Sequence, residues 1–414
     1  MTTSANPGQG QSKGPSPIRL APRVQTLQPS PTLALNARAK AMAAKGIDVV
    51  SFAAGEPDFD TPANVKQAAV DALARGQTKY TATSGIPELR AAISRKLQQD
   101  NGLSYAPEEI VVSVGAKQAL YNFFQALVGE GDEVVIFSPY WVSYPDMVRL
   151  AGGTPVIVET REEDNWAPSA EALRKALTPR TKAVVLNSPS NPTGGVLTEG
   201  NLRDIANAIA DHSCVVVSDD IYEKLLYGTQ PFRNILHVAP ELRERTVVVN
   251  GFSKAFSMTG WRLGYAAGPR AIIAPMQMIQ DQSTSNATSF AQAGAVAALT
   301  GPQDELERMR VEFAARRDLI VNGLNAIEGF PTRSPDGAFY VFPHIRALCD
   351  RRYKGERIGG SVRLSEILLD EFHLAAVPGE PFGAEFYLRL SFATSREVIN
   401  KGLERLRRFV GELE

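Results

Sequence analysis

Lys254 stands in the segment Ser253-Lys254-Ala255-Phe256-Ser257-Met258-Thr259-Gly260-Trp261-Arg262, just beyond the apolar run Thr246–Val249. A lysine at the end of a strand can act as a Schiff-base nucleophile when its surroundings lower its pKa. Arg262, eight residues on, carries the planar fork that grips a phosphate. The same pair would equally suit a surface lysine and a salt-bridged arginine. Asp219-x-x-Tyr222 follows a second apolar run, Cys214–Ser218. A carboxylate there could keep a ring nitrogen protonated, although aspartate is also a favoured helix cap. Asn187-Ser188-Pro189-Ser190-Asn191-Pro192-Thr193-Gly194 is dense in turn formers and reads as a ligand loop or as a tight connection. Gly115-Ala116-Lys117 opens a helical stretch, whose free N–H groups could receive a phosphate.

Such residues need a scaffold that gathers them. Seven short runs supply one: Ile110–Val114, Glu133–Phe137, Thr154–Val158, Lys182–Leu186, Cys214–Ser218, Thr246–Val249 and Leu263–Ala267. They are mostly apolar with little polar alternation, as in strands covered on both faces. Amphipathic segments such as Lys117–Leu127 and Ser169–Leu177 lie between them, which predicts an α/β fold with a mostly parallel sheet flanked by helices. Ligands bind beyond the carboxyl ends of such strands, and the polar segments named above all follow a run. After about residue 300 a long helical segment, Gln303–Ile327, leads to Ala338–Phe342 and then to Tyr387–Ser391. A final amphipathic helix begins at Ser395, so a second, smaller α/β unit is expected. Asp350–Ser361 is charged and Gly-rich and reads as a mobile surface loop.

The 414 residues carry 44 basic and 45 acidic side chains, a formal net charge of −1. That balance argues against nucleic acid or an anionic membrane as the main partner, since both demand a basic excess. It leaves room for a local basic site. Cys214 and Cys349 are the only cysteines and have no metal-ligand spacing, so neither a zinc site nor a disulfide framework is indicated. Cys214 reads as a core thiol. No apolar stretch reaches the roughly 20 residues of a membrane helix. The first 17 residues lack the apolar core of a signal peptide, and a cytoplasmic, reducing setting is the default.

Taken in order, several segments resemble one family. They are Ala54-Gly55-Glu56-Pro57-Asp58-Phe59, Lys79-Tyr80, Gly85-Ile86-Pro87-Glu88-Leu89-Arg90, Asn191-Pro192-Thr193-Gly194, Asp219-x-x-Tyr222, Ser253-Lys254 and Arg389-Leu390-Ser391. The chain resembles the class I (fold type I) pyridoxal-phosphate-dependent aminotransferases from about residue 20 to 410. The segments Ser138–Pro145 and Lys117–Leu120 are similar to the bacterial aspartate/prephenate subgroup, group 1β.

The resemblance implies a large domain, residues 61–300, that binds pyridoxal 5′-phosphate, and a C-terminal small domain, 301–414. Residues 18–60 would form an N-terminal arm and small-domain segment, while 1–17, rich in Gly, Pro, Ser and Thr, read from composition as a disordered tail. Lys254 would carry the cofactor as a Schiff base and move the proton at the reacting carbon. Asp219 would pair with the ring nitrogen, while Tyr222 and Asn191 would hydrogen-bond the ring's 3′ oxygen. Trp141 would stack on the ring. Arg262, Ser253 and the backbone of Gly115, Ala116 and Lys117 would hold the phosphate. Tyr80 would reach the phosphate of a neighbouring copy, making a homodimer with shared sites. Arg389 would clamp the α-carboxylate of an amino-acid or 2-oxo-acid substrate, and Gly55 would close over it. Lys117 and Thr32 would meet a distal carboxylate, with Trp141 and Asn191 also facing substrate. Many relatives have serine where Gly251 stands, which puts one phosphate contact in doubt.

The activity implied is transfer of the amino group of aspartate or glutamate to a 2-oxo acid such as 2-oxoglutarate or oxaloacetate. Prephenate is a further acceptor, giving arogenate. Transaminases of aromatic or neutral amino acids and lyases on the same fold share the core residues. A non-enzymatic regulator would need an attached DNA-binding unit, whereas only the short tail precedes the matched segments.

Overall fold

The computed structural model describes residues 21–25, 27, 31–228 and 230–414. The expected tail, 1–17, lies outside the described residues. All seven apolar runs become strands of one sheet: β1 (Ile110–Ser113), β2 (Glu133–Ser138), β3 (Thr154–Glu159), β4 (Thr181–Asn187), β5 (Val215–Asp219), β6 (Thr246–Gly251) and β7 (Gly264–Ala267). Their order is β1-β7-β6-β5-β4-β2-β3. Only β7 runs antiparallel to its neighbours. The other carboxyl ends therefore share one edge.

Alternation along each strand divides the apolar residues between two faces. Val111, Val134, Ile136, Val185, Val217 and Val249 meet the helices Ala116–Leu127, Ser143–Leu150 and Arg270–Asp281 on one side. Val112, Val135, Val184, Val216 and Val248 meet Pro87–Asn101, Glu199–Ala208 and Ser289–Thr300 on the other. Cys214 lies in that second layer as a buried free thiol. Strand β3 departs from the expectation of cover on both faces: it ends the sheet, and Ile157 is 40% exposed.

A second core gathers Val50 and Phe52 with residues from Met309 to Phe409. Tyr340–Val341 and Val377–Pro378 flank the strand Leu388–Ser391 in an antiparallel sheet. The pair Val50–Ser51 joins Leu374–Ala375 in parallel. The long helix Asp304–Asn325 and the terminal helix Arg396–Gly411 cover them through Phe313, Ile320, Leu403 and Leu406. Among the described residues no helix is long and apolar enough to cross a membrane.

The segment Asp350–Ser361 corrects the sequence reading. It forms a hairpin, Arg352–Tyr353 against Glu356–Arg357, rather than a free loop. Its charges occupy the outer positions, while Tyr353 packs beside Phe372 and Phe409 and Ile358 is buried. Composition alone hid these two anchors. Tyr353→Ala should cost about 3 kcal/mol of unfolding free energy, as for other buried aromatics. Denaturant unfolding checks it: a loss within about 0.5 kcal/mol would mark a loosely attached surface segment.

Candidate active site

Five carboxyl ends of the sheet converge on a cavity of about 400 Å³. Ala116 and Lys117 follow β1, Trp141 follows β2, Asn191 follows β4, Asp219 ends β5, and Ser253 and Lys254 follow β6. Arg389 reaches in from the second core, and Gly55 from the N-terminal segment. Tyr222 and Arg262 complete the wall. Most of the residues singled out in the sequence thus lie together. Tyr80 does not line this cavity and is 92% exposed. Thr32 falls in the helix Pro31–Ala44, but its side chain is outside those described.

One wall is shaped to receive an anion. Gly115 has φ +82°, and a Cβ there would stand 2.6 Å from Arg262 Nη2. A Cβ on Gly264 would strike Ala116 N, so β7 and the start of the helix Ala116–Leu127 lie in direct contact. The first N–H groups of a helix have no intrahelical acceptor and attract negative charge. Arg262 is held beside them in a left-handed conformation, φ +55°, which costs a non-glycine residue about 1 kcal/mol or more. Its Nη1 donates to the Thr259 carbonyl at 2.9 Å. Gly251 ends β6, where a Cβ would meet the Leu263 carbonyl oxygen at 3.0 Å. A serine there would need the neighbouring strand to give way.

The opposite side holds a buried carboxylate. Asp219 is 4% exposed. Its Oδ2 accepts from the Tyr144 hydroxyl at 2.6 Å, while Asn187 Nδ2 donates to its backbone carbonyl. Burial pushes its pKa up to about 6, partly offset by the Tyr144 hydrogen bond. Lys254 moves the other way, down to about 8, because burial and then the Arg389 guanidinium disfavour the ammonium. The amine donates to the Gly55 carbonyl.

Arg389 is buried among neutral groups. Nη1 donates to Asn191 Oδ1 at 3.2 Å and Nη2 to the Ala53 carbonyl at 3.0 Å, while Nε has no partner. The guanidinium lies 4.5 Å from the Tyr340 ring centroid. Tyr340 and Tyr222 share a hydroxyl hydrogen bond of 2.9 Å. Lys117 Nζ lies 4.8 Å over the Trp141 ring. Desolvation, then Arg262, hold its pKa below the usual lysine value.

Sequence reasoning gave no role to Tyr144, Tyr340, Asn187 or Glu56, although all four line the cavity. Tyr144 carries a signal in retrospect, three residues beyond Trp141 on the next turn of chain. Tyr340 looks like any core aromatic in Ala338–Phe342. The cavity presents four cations, Lys117, Lys254, Arg262 and Arg389, against the carboxylates of Asp219 and Glu56. Glu56 accepts from the Thr259 hydroxyl at 2.7 Å. Such a site can bind a ligand with more than one anionic group, present a nucleophilic amine to it, and hold a positive nitrogen at Asp219.

Comparison with known proteins agrees with this geometry. Residues 47–406 match the model of the family described as aminotransferase class I and II. An aspartate aminotransferase of Bacillus sp. (strain YM-2) is 48% identical over 391 residues, covering 94% of this chain and 99% of that protein. The aspartate/prephenate aminotransferase of Thermus thermophilus is 47% identical over 395 residues, covering 95% and 99%. Two solved structures align over nearly their full length. One is the aspartate aminotransferase from Rhizobium meliloti, with TM-score 0.93, 44% identity and coverage of 96% and 100%. The other is the Thermus thermophilus aspartate aminotransferase with maleate, with TM-score 0.89, 47% identity and coverage of 94% and 99%.

Lys254 should gain its free amine as pH rises through about 8 in the cofactor-free chain. An ordinary lysine requires a pH near 10.4. Arg389→Gln removes a neighbouring cation, so the midpoint should move upward. The pH profile of labelling at Lys254 by an amine-directed reagent, read by mass spectrometry, measures both. A midpoint near 10.4 in the unmutated chain would contradict the electrostatics described.

Proposed function

This chain belongs to the aminotransferase class I and II family and is an aminotransferase, and we propose that it transfers the amino group of aspartate or glutamate to a 2-oxo acid. We assign pyridoxal 5′-phosphate as the cofactor. The residues present fit it: a buried carboxylate without a cation of its own, an amine with a depressed pKa, and an anion-receiving helix start beside Arg262. Their meeting in one cavity is the observation that carries the reading. When bound, the cofactor supplies an electron sink for a carbanion at the amino acid's α-carbon.

The rest of the work falls to the protein. Lys254 would anchor the cofactor through its amine and, freed when the substrate amine takes its place, would accept and return the proton at the amino acid's α-carbon. In the unliganded cavity burial and then Arg389 lower the Lys254 pKa to about 8, which favours the free amine needed to attach the cofactor. Asp219 holds the ring nitrogen protonated. Tyr222 donates to the ring's 3′ oxygen, and Asn191, whose Oδ1 is occupied by Arg389, has its amide N–H free to do the same. Trp141 covers the ring face. Ser253, Arg262 and the backbone of Gly115, Ala116 and Lys117 take the phosphate. Arg389 receives the α-carboxylate as a planar fork, and Gly55 closes over it.

Lys117 is the cation left for a distal carboxylate, with Thr32 as its companion. The maleate complex of the Thermus thermophilus relative supports a dicarboxylic ligand. Prephenate, whose ring carboxylate would meet the same groups, is a second acceptor on this reading. Residues 61–300 then form the cofactor-binding domain, and 18–60 with 301–414 the smaller one. The exposed Tyr80 completes the phosphate site of a second copy in a cytoplasmic homodimer.

The test is a half-reaction panel in which the holoenzyme meets aspartate, glutamate, arogenate, tyrosine and alanine while the cofactor spectrum is followed. Aspartate and glutamate should convert the spectrum. Lys254→Ala should abolish the native visible band and lower turnover by on the order of 10²–10⁴-fold or more. A normal rate in that variant refutes the assignment.

Lys117→Ala should lower kcat/KM for aspartate about tenfold or more, as expected for one charge-assisted hydrogen bond, and leave alanine nearly unchanged. Equal losses for both amino acids would remove Lys117 from the distal site. Absence of arogenate formation from prephenate with either donor would remove prephenate.

A further inference from the structure

The turn that carries Asp219 and Tyr222 has a second face, which the reaction does not use. Asp219 and Tyr222 line the cavity, while Asp220 and Glu223 are buried and do not. Glu223 forms an ion pair with Lys96, on the helix Pro87–Asn101. Its other oxygen accepts from Asn101 Nδ2 at 2.7 Å, and Lys96 also donates to Asn101 Oδ1 at 2.7 Å. The exposure of both ionic side chains is below a tenth. Asp220 is held separately. Ser218 Oγ donates to its Oδ1 at 2.6 Å and Asn234 Nδ2 to its Oδ2 at 2.7 Å. Its backbone N–H reaches the Val249 carbonyl at 2.9 Å, tying the turn to the end of β6. The Asn101 carbonyl meets His237 Nε2, and the other His237 nitrogen accepts from the Asn234 backbone N–H. The two halves thus close on each other.

On the cavity side Asn187 Nδ2 holds the Asp219 carbonyl and the Ile221 N–H reaches Asp219 Oδ1, but the working ends of the two side chains rest on one hydroxyl each, Asp219 on Tyr144 and Tyr222 on Tyr340. Those two hydroxyl bonds lie where a ligand will contest them. The rear face instead carries a satisfied network of low exposure, and such networks hold one arrangement because each unpaired member would be costly. Burial, and to a lesser degree Glu223, push the Asp220 pKa above its ordinary value, while the Ser218 and Asn234 hydrogen bonds work the other way and hold the carboxyl in place.

We propose that Lys96, Asn101 and Glu223, with Ser218, Asp220 and Asn234, form a frame that positions the turn from behind and thereby sets where Asp219 and Tyr222 meet the cofactor. They are positioning residues and touch no substrate. The inference rests on the roles assigned above to Asp219 and Tyr222.

The test compares Glu223→Ala and Glu223→Gln as holoenzymes with the unmutated protein. If the frame positions the turn, Glu223→Ala lowers kcat about tenfold or more, the scale set by a small misplacement of catalytic groups, and moves KM far less. The pH midpoint of the bound cofactor's visible band rises by about half a unit or more, because looser contacts at the ring nitrogen and 3′ oxygen both favour the protonated form. Glu223→Gln, which keeps the shape and one of the two acceptor oxygens, restores part of both. A Glu223→Ala protein with a lower Tm but unchanged kcat and midpoint overturns the proposal. If Glu223→Ala does not fold, Asn234→Ala, which removes the donor to Asp220 and Ser218 and the acceptor of the Leu236 N–H, is read on the same two scales with the same outcomes. An unmutated protein that binds no pyridoxal 5′-phosphate overturns the assigned function and the frame together. Normal binding with an unmoved midpoint in the variants overturns the frame alone.

Discussion

Asp219 ends the strand flanked by β4 and β6, and its carboxylate is buried without a cation among its hydrogen-bond partners. Raising a carboxyl pKa from 3.8 to about 6 corresponds to a penalty of about 3 kcal/mol for keeping it ionised. A cation brought to that oxygen recovers much of this. The rest of the cavity is arranged around that demand. Strand β4 supplies Asn187 to hold the Asp219 carbonyl, and β6 delivers Ser253 and Lys254. The helix Ser143–Leu150 brings Tyr144 against the carboxylate. Parallel order places all of these at one edge, which is why the sheet topology and the chemistry cannot be separated.

The cations form a second, linked balance. Arg389 and Arg262 both press Lys254 toward its neutral form, and Glu56 works against them. Anions bound at the two arginines would relax that pressure, so ligand binding and the protonation of Lys254 are coupled. A formal charge of −1 over 414 residues gives no hint of four cations around one cavity. Net charge describes the field far from the molecule, whereas a site depends on its nearest groups.

Much of this was legible in the sequence because it rests on local signals. Apolar runs ending in polar turn formers placed seven strands and the edge that carries the site. Asp219 directly follows such a run, Lys254 and Asn191 lie in the polar segments just beyond one, and Arg389 is legible only through the family resemblance of Arg389-Leu390-Ser391. Tyr340 and Glu56 were missed because their roles come from contacts with Tyr222 and Thr259, far away in the chain. The Asp350–Ser361 hairpin was misread because its charges outnumber its two anchors, Tyr353 and Ile358. Glu223 and Lys96 illustrate the same limit, since they are 127 residues apart and only the fold pairs them.

In the function proposed above, Asp219 keeps a cofactor ring nitrogen positively charged. Nitrogen-15 NMR of the holoenzyme, loaded with cofactor labelled at that nitrogen, measures it directly. The ring nitrogen should be protonated at neutral pH in the unmutated protein and lose that proton in Asp219→Asn. An unprotonated nitrogen in the unmutated protein, or the same signal in both, would contradict it.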